Sequence, residues 1–274
     1  MIAHDLFVKL KSIEDEAENR SVLKILFSYV LGQDYALISQ DELDDEDVKK
    51  IEEYYKEYID GKPVQYITHE SYFLENKFYV DERVLIPRFA TEDVVLKAVE
   101  HVDGTIGSIA DICTGSGVIA LTLKNMFPHI DVIATDISKD ALDVCEINRN
   151  ALGQDVQLYQ GDLLEPLIIN DIHVDMIVSN PPYIEEEFEL DRRVRDYEPK
   201  LALYSGKEGT NHYKKILKDA KKVLNPKGKI IFEIGFNQKE RLMKIITELY
   251  GNEQTTEFYK DLDGNDRICV IKFA

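Results

Sequence analysis

Ile109-Ala110-Asp111-Ile112-Cys113-Thr114-Gly115-Ser116-Gly117-Val118-Ile119-Ala120 changes character twice in a short space. An apolar run suited to a buried strand gives way to a glycine loop, and an apolar helix follows over residues 118–127. The string from Gly115 to Ala120 has the G-x-G-x-x-A spacing, in which glycines let the backbone approach a ligand. Many such strings are only tight strand–helix turns, so its neighbours must carry part of the reading.

Downstream, the same alternation repeats. Residues 132–134, 156–159, 174–179 and 229–234 read as strands. Ser138 caps a helix that runs to Leu152 and closes at Gly153, and residues 213–224 and 239–250 read as further helices. Asp263-Gly264 is a hairpin signal between β-like segments at 254–259 and 268–273, which should lay the last strand antiparallel. This pattern predicts an α/β domain with a mostly parallel sheet covered on both faces.

Upstream the character differs. Leu6, Phe7, Leu10 and Ile13 fall at helical spacing. A second helix carries Val22, Leu23, Ile25, Leu26, Tyr29 and Val30 and stops at Gly32. Asp44, Asp45, Glu46 and Asp47 open a third, with Val48, Ile51, Tyr54, Tyr55 and Tyr58 on it. The acidic cluster lacks the spacing and glycine of a calcium loop, and reads as a solvated helix start. Tyr66-Ile67, Tyr72-Phe73-Leu74, Phe78-Tyr79-Val80 and Val84-Leu85-Ile86 are β-like runs with a turn at Glu75-Asn76-Lys77, and Thr91 reads as a helix N-cap. The expected division is a helical bundle over 1–63, a β-hairpin connector over 64–87, and the α/β domain over 88–274.

Composition bounds the function. The 274 residues carry a net charge of −19, which argues against broad, charge-driven nucleic-acid binding. No apolar run is long enough to span a membrane, and the N-terminus lacks a signal-peptide pattern, so a cytoplasmic protein is expected. Cys113, Cys145 and Cys269 are scattered and odd in number, which indicates neither a disulfide framework nor a metal site.

The chemistry gathers at strand ends. Asp136 ends the second strand of the alternating region, where a carboxylate accepts both ribose hydroxyls of a nucleoside. Asp111 precedes the glycine loop and suits an ammonium better than a phosphate. Asp162 follows the third strand, placed to accept from an adenine amino group, with Leu163 beside it to cover the ring. An ammonium, a ribose and an adenine together describe S-adenosylmethionine. Met176-Ile177-Val178-Ser179 then runs into Asn180-Pro181-Pro182-Tyr183. Two prolines end a strand, since neither has an N–H to give. An Asn, fixed carbonyls and a planar Tyr make a rigid cup for a flat group bearing an NH2.

The combination resembles the HemK/PrmC family, the peptide chain release factor glutamine methyltransferases. The likeness rests on Pro63-Val64-Gln65-Tyr66-Ile67, Val84-Leu85-Ile86-Pro87-Arg88, Thr114-Gly115-Ser116-Gly117, Asp136-Ile137-Ser138, Asn148, Ile177 to Ile184, Tyr197-Glu198-Pro199, Glu233-Ile234-Gly235 and Lys260-Asp261-Leu262. It implies a Rossmann-like, seven-stranded class I methyltransferase domain behind a helical N-terminal domain. It further implies methyl transfer from S-adenosylmethionine, leaving S-adenosylhomocysteine, to the glutamine amide of the Gly-Gly-Gln motif of class 1 release factors. By match, Cys113, Thr114, Gly115, Ser116, Gly117, Asp136 and Asn180 contact the cofactor, and Asn180, Pro181, Pro182 and Tyr183 hold the glutamine. Phe89-Ala90-Thr91-Glu92 stands where the family usually has Pro-Glu-Thr-Glu, and Cys113 where relatives often have Gly. The long charged segment at 185–211, with Arg192, Arg193 and Arg195, is expected to grip the protein substrate together with the bundle. The same cup would hold a flipped adenine or guanine of DNA or rRNA. A nicotinamide dehydrogenase would leave Asn180 to Tyr183 and Asp162 unexplained, and a non-enzymatic cofactor-binding adaptor would show no turnover.

Overall fold

The computed structural model describes residues 1–13 and 17–274. They form two compact units, Met1–Glu70 with Asp191–Tyr197, and Ser71–Leu190 with Glu198–Ala274. The hairpin from Ser71 onward falls within the larger unit, and residues 191–197 of the charged segment fall within the smaller one.

The smaller unit contains α1 (Ala3–Lys11), α2 (Ala17–Leu31), α3 (Tyr35–Ile38), α4 (Asp45–Ile59), α5 (Val64–Thr68) and α10 (Arg192–Tyr197). Asp44 caps α4, its carboxylate accepting from the Asp47 N–H at 2.8 Å, so the acidic run is a helix start. Leu6, Leu23, Leu26, Phe27, Ile51, Tyr55 and Tyr58 fill the core, and Tyr54 packs partly buried against it. Ile13 lies in a turn beyond α1 and is exposed. Arg193 of α10 donates to Glu18 at 2.8 Å and lies 4.4 Å over the Tyr58 ring. Tyr66-Ile67 is helical, not β-like: both N–H groups donate to the Pro63 carbonyl, and His69 ends the turn in the left-handed region.

The larger unit opens with the hairpin β1 (Glu70–Phe73) and β2 (Asn76–Tyr79), turning at Leu74-Glu75, one step earlier than the sequence suggests. Val84-Leu85-Ile86 belongs to none of the strands among the described residues, and the Ile86 N–H donates to the Glu198 carboxylate. α6 (Phe89–Glu100) begins after Arg88, so Thr91 sits inside the helix and caps nothing. Then come β3 (Ser108–Ile112), α7 (Val118–Met126), β4 (Asp131–Asp136), α8 (Lys139–Leu152), β5 (Val156–Gln160), a short α9 (Glu165–Ile169) and β6 (Val174–Ser179). After a single 3-10 turn at Lys200–Ala202 follow α11 (Asn211–Ala220), β7 (Leu224–Glu233), α12 (Lys239–Tyr250), β8 (Gln254–Lys260) and β9 (Asp266–Phe273). α11 ends four residues earlier than its apolar pattern predicts, because Leu224 already pairs with Val174 of β6. Ser138 caps α8 and Gly153 closes it in the left-handed region, as expected.

The seven-stranded sheet has the order β5-β4-β3-β6-β7-β9-β8. β5, β4, β3, β6 and β7 are parallel neighbours, and β9 runs antiparallel against both β7 and β8. One face buries Ile109, Val132 and Val178 against α6, α7 and α8. The other buries Ile112, Ile177 and Phe232 against α11 and α12. The chain leaves β3 toward β4 and β5 and returns to the far side of β3 as β6. This topological switch opens a crevice at the carboxyl ends of β3 and β6.

The glycine loop above that crevice tolerates change unevenly. Gly117 has φ +87°, and a Cβ there would meet Cys145 Sγ at 2.5 Å and Leu121 Cδ1 at 2.9 Å. Gly115 has φ +56° and open space around it. Chemical denaturation should show Gly117→Ala losing upwards of about 2 kcal/mol, through clash and backbone strain together. Gly115→Ala should lose only about 1 kcal/mol, from the left-handed backbone alone.

Candidate active site

In-register pairing brings the strand ends level. Ile112 pairs with Thr135 and with Ser179, Asp136 with Gln160, and Ser179 with Phe232. The residues that follow each strand therefore surround one cavity of about 230 Å³. Its wall includes Cys113, Thr114, Gly115, Ser116, Asp136, Asp162, Leu163, Asn180 and Pro182, all expected from the sequence. Arg83, Leu85, Pro87, Thr91, Ile137, Leu201, His212 and Lys215 also line it.

Asp136 braces the loop and keeps capacity to spare. Its Oδ2 accepts from the Gly115 N–H and its Oδ1 from the Ser138 N–H, each at 2.9 Å. Each oxygen has a further lone pair to offer. Burial raises its pKa against these hydrogen bonds. Leu163 is buried, with a left-handed backbone (φ 54°) fixed by Thr135 Oγ1, which donates to its carbonyl at 3.0 Å. Asp162 faces the wall half-exposed and pairs with Lys215 at 3.0 Å. Cys113 adopts φ 62°, a conformation that costs glycine nothing and explains why glycine suits this position.

Four expected residues are not among those that line the cavity. Gly117 is turned down onto Cys145 at the start of α7. Pro181 is buried, and the Tyr183 hydroxyl donates to Glu233 Oε1 at 3.1 Å. Asp111 lies fully buried beneath the loop. Its Oδ2 accepts from Thr114 Oγ1 at 2.6 Å and from the Ala120 N–H at 3.1 Å, while its Oδ1 has no partner. Desolvation pushes its pKa up to about 7.

Glu233 ends β7 beside Asn180 and is fully buried. Its Oε2 accepts from Thr91 Oγ1 at 2.6 Å, and Thr91 Oγ1 accepts from Asn180 Nδ2 at 3.2 Å. Burial raises the Glu233 pKa, while its bonds to Thr91 and Tyr183 and the charges of Arg267 and Arg88 oppose the rise. On the other side, the His212 ring meets Ser205 Oγ at 2.6 Å and the Pro182 backbone, and burial lowers its pKa. Arg88 donates to the buried Glu198 at 2.5 Å, tying the Pro87 rim to the Pro199 rim. Asn148 is buried and holds the hairpin to the loop, donating to the Tyr79 and Ser116 carbonyls. Glu198, Glu233 and Asn148 lay within quoted motifs, yet nothing local assigned them these partners.

Residues 85–195 match the family model Methyltransferase small domain, and residues 7–68 match PrmC N-terminal domain. The chain is 37% identical over 264 residues to the release factor glutamine methyltransferase of Bacillus subtilis, covering 93% of this chain and 91% of that protein. It is 35% identical over 279 residues to the protein of the same name from Clostridium acetobutylicum, covering 97% and 96%. Among solved structures, the ribosomal protein L11 methylase of Lactobacillus delbrueckii subsp. bulgaricus superposes with a TM-score of 0.51 at 21% identity, over 71% of this chain and 83% of that one. The 16S rRNA N2 G1207 methyltransferase of T. thermophilus gives 0.53 at 14% identity, over 75% and 50%. These two likenesses concern the fold alone.

The Asp111 pKa carries a stability prediction. Because it is raised on folding, the neutral acid is the form the native state prefers. The associated stability is complete below pH 4 and is lost as pH rises through about 7. Thermal unfolding of Asp111→Asn should lack this loss, so its stability relative to wild type should grow between pH 4 and pH 8 by at most on the order of 4 kcal/mol. A pH-independent difference would contradict the burial argument.

Proposed function

This chain belongs to the release factor glutamine methyltransferase family, and from that premise we propose that it methylates the side-chain amide nitrogen of the glutamine in the Gly-Gly-Gln motif of class 1 peptide chain release factors. The observation that most supports this reading is that Asn180 lies on the same cavity wall as Asp136, Asp162 and Leu163. An amide able to accept thus stands beside the two carboxylates and the apolar side chain assigned to the nucleoside.

The donor set fits S-adenosylmethionine. Asp136 retains lone pairs for ribose hydroxyls, and Leu163 supplies an apolar face. Asp162, held by a half-exposed ion pair of small worth, can accept from an adenine amine. The unpartnered Asp111 Oδ1 is an unmet hydrogen-bond demand beneath the loop. When bound, the cofactor supplies an electrophilic methyl on a sulfonium. The chain supplies position and dipoles. The Asn180 side-chain oxygen and the Pro181 carbonyl accept the two glutamine amide hydrogens, which orients the nitrogen and favours charge building on it. Tyr183, tethered at its hydroxyl, supports the amide plane. Orientation of this kind is worth on the order of 7–11 kcal/mol of barrier. Once the methyl has been transferred the nitrogen carries the positive charge and is strongly acidic, so one of its protons passes to water without a strong base.

The release factor is the proposed partner, gripped by the helical unit and the 185–211 segment. The net charge of −19 supports a protein substrate over direct nucleic-acid binding. No helix among the described residues is long and apolar enough to cross a membrane.

Mass spectrometry of a release factor incubated with the protein and S-adenosylmethionine should find one added methyl, on that glutamine. Asn180→Ala should lower kcat about 100-fold or more while changing S-adenosylhomocysteine affinity only a few-fold. Equal losses in both would make Asn180 chiefly a cofactor ligand, and methylation of nucleic acid in place of the factor would overturn the assignment.

A further inference from the structure

An asparagine amide is nearly symmetric in shape but not in function. One end accepts and the other donates, and the two exchange by a half-turn. In the proposed reaction only the acceptor end is useful to the incoming NH2. A flipped Asn180 would point two hydrogens at two hydrogens.

Nothing in the Asn180-Pro181-Pro182-Tyr183 stretch itself decides between the two orientations. The decision lies in a relay from outside it. Both Glu233 oxygens act as acceptors, Oε1 from the Tyr183 hydroxyl and Oε2 from Thr91 Oγ1 at 2.6 Å, so the single Thr91 hydroxyl proton is spent on the carboxyl group. With its proton spent there, Thr91 Oγ1 can only accept from Asn180, and it does so from Nδ2 at 3.2 Å. The Asn180 oxygen is thereby left for the cavity. Through its other oxygen the same carboxylate accepts from Tyr183, so one buried group addresses two members of the cup. Thr91 and Glu233 are both buried, on different elements.

We propose that Thr91 and Glu233 are positioning residues for the methyl transfer, setting the direction of the Asn180 amide so that its oxygen faces the substrate nitrogen. The inference rests on the reading that the substrate is a carboxamide. Neither residue touches the reacting atoms. They act by hydrogen-bond polarity, which only a hydroxyl at 91 with an acceptor at 233 can supply.

The test uses the full-length protein, S-adenosylmethionine and a Gly-Gly-Gln release factor. Thr91→Val preserves shape and removes the hydroxyl. It should lower kcat by about 30-fold or more, leave S-adenosylhomocysteine affinity within about twofold, and be rescued by Thr91→Ser to within about threefold of wild type. A purely structural role would move affinity and thermal midpoint along with kcat and would not separate the two variants. Glu233→Gln, which keeps an acceptor for Thr91, against Glu233→Met, which does not, repeats the comparison without altering Thr91. The Gln variant should retain at least about tenfold more turnover than the Met variant. Thr91→Val turnover within threefold of wild type, no rescue by Ser, or equal Gln and Met variants would each overturn the proposal while leaving the functional assignment intact. A wild-type protein inert toward the release factor would instead remove the assignment, and the proposal with it.

Discussion

One buried carboxylate constrains the catalytic edge of this molecule. Glu233 stands at the end of β7 with essentially no solvent; burial raises its pKa, and the hydroxyls of Thr91 and Tyr183 that donate to it and the charges of Arg267 and Arg88 oppose that rise. Burying a carboxylate is unfavourable unless its oxygens are satisfied. Satisfying them pulls in a hydroxyl from α6 and the ring of the residue that closes the cup. The sheet core, the helix that follows the proline-rich rim and the Asn-Pro-Pro-Tyr loop are thus joined at one point.

The sheet determines what that point can reach. Five parallel strands deliver their carboxyl ends to one edge, and the return of the chain to the far side of β3 leaves a crevice there. Asp136, Asp162, Leu163 and Asn180 come from the ends of three different strands, yet they share one wall. Cavity geometry is then a matter of register. A one-residue slip in β6 would exchange the buried and cavity-facing residues around Asn180. The rigidity of the prolines and the His212 contact to the Pro182 backbone hold the loop once the strand has ended.

What could be read from the sequence was what depends on near neighbours. The Ser138 cap, the Gly153 stop, the Asp44 helix start and the strand-ending prolines are local chemistry, and the alternation of strands and helices with its antiparallel tail follows from periodicity. The misreadings share a cause. Tyr66-Ile67 looks β-like, but Pro63 starts a helical turn there. Val84-Leu85-Ile86 looks like a strand, but the partner of Ile86 is Glu198, 112 residues away. Thr91 has the right chemistry for a cap, but its hydroxyl serves Glu233, 142 residues away. Short apolar runs and single hydroxyls do not disclose distant partners, and the features that tune this site are of that kind.

The central claim is that two fixed oxygens face an amide nitrogen at the mouth of a nucleoside cavity. It is tested most directly by a crystal structure of the protein with S-adenosylhomocysteine and a Gly-Gly-Gln peptide. The glutamine nitrogen should lie within hydrogen-bond distance of Asn180 Oδ1 and the Pro181 carbonyl and point toward the sulfur. A glutamine whose oxygen meets Asn180, or whose side chain lies outside the cavity, would contradict it.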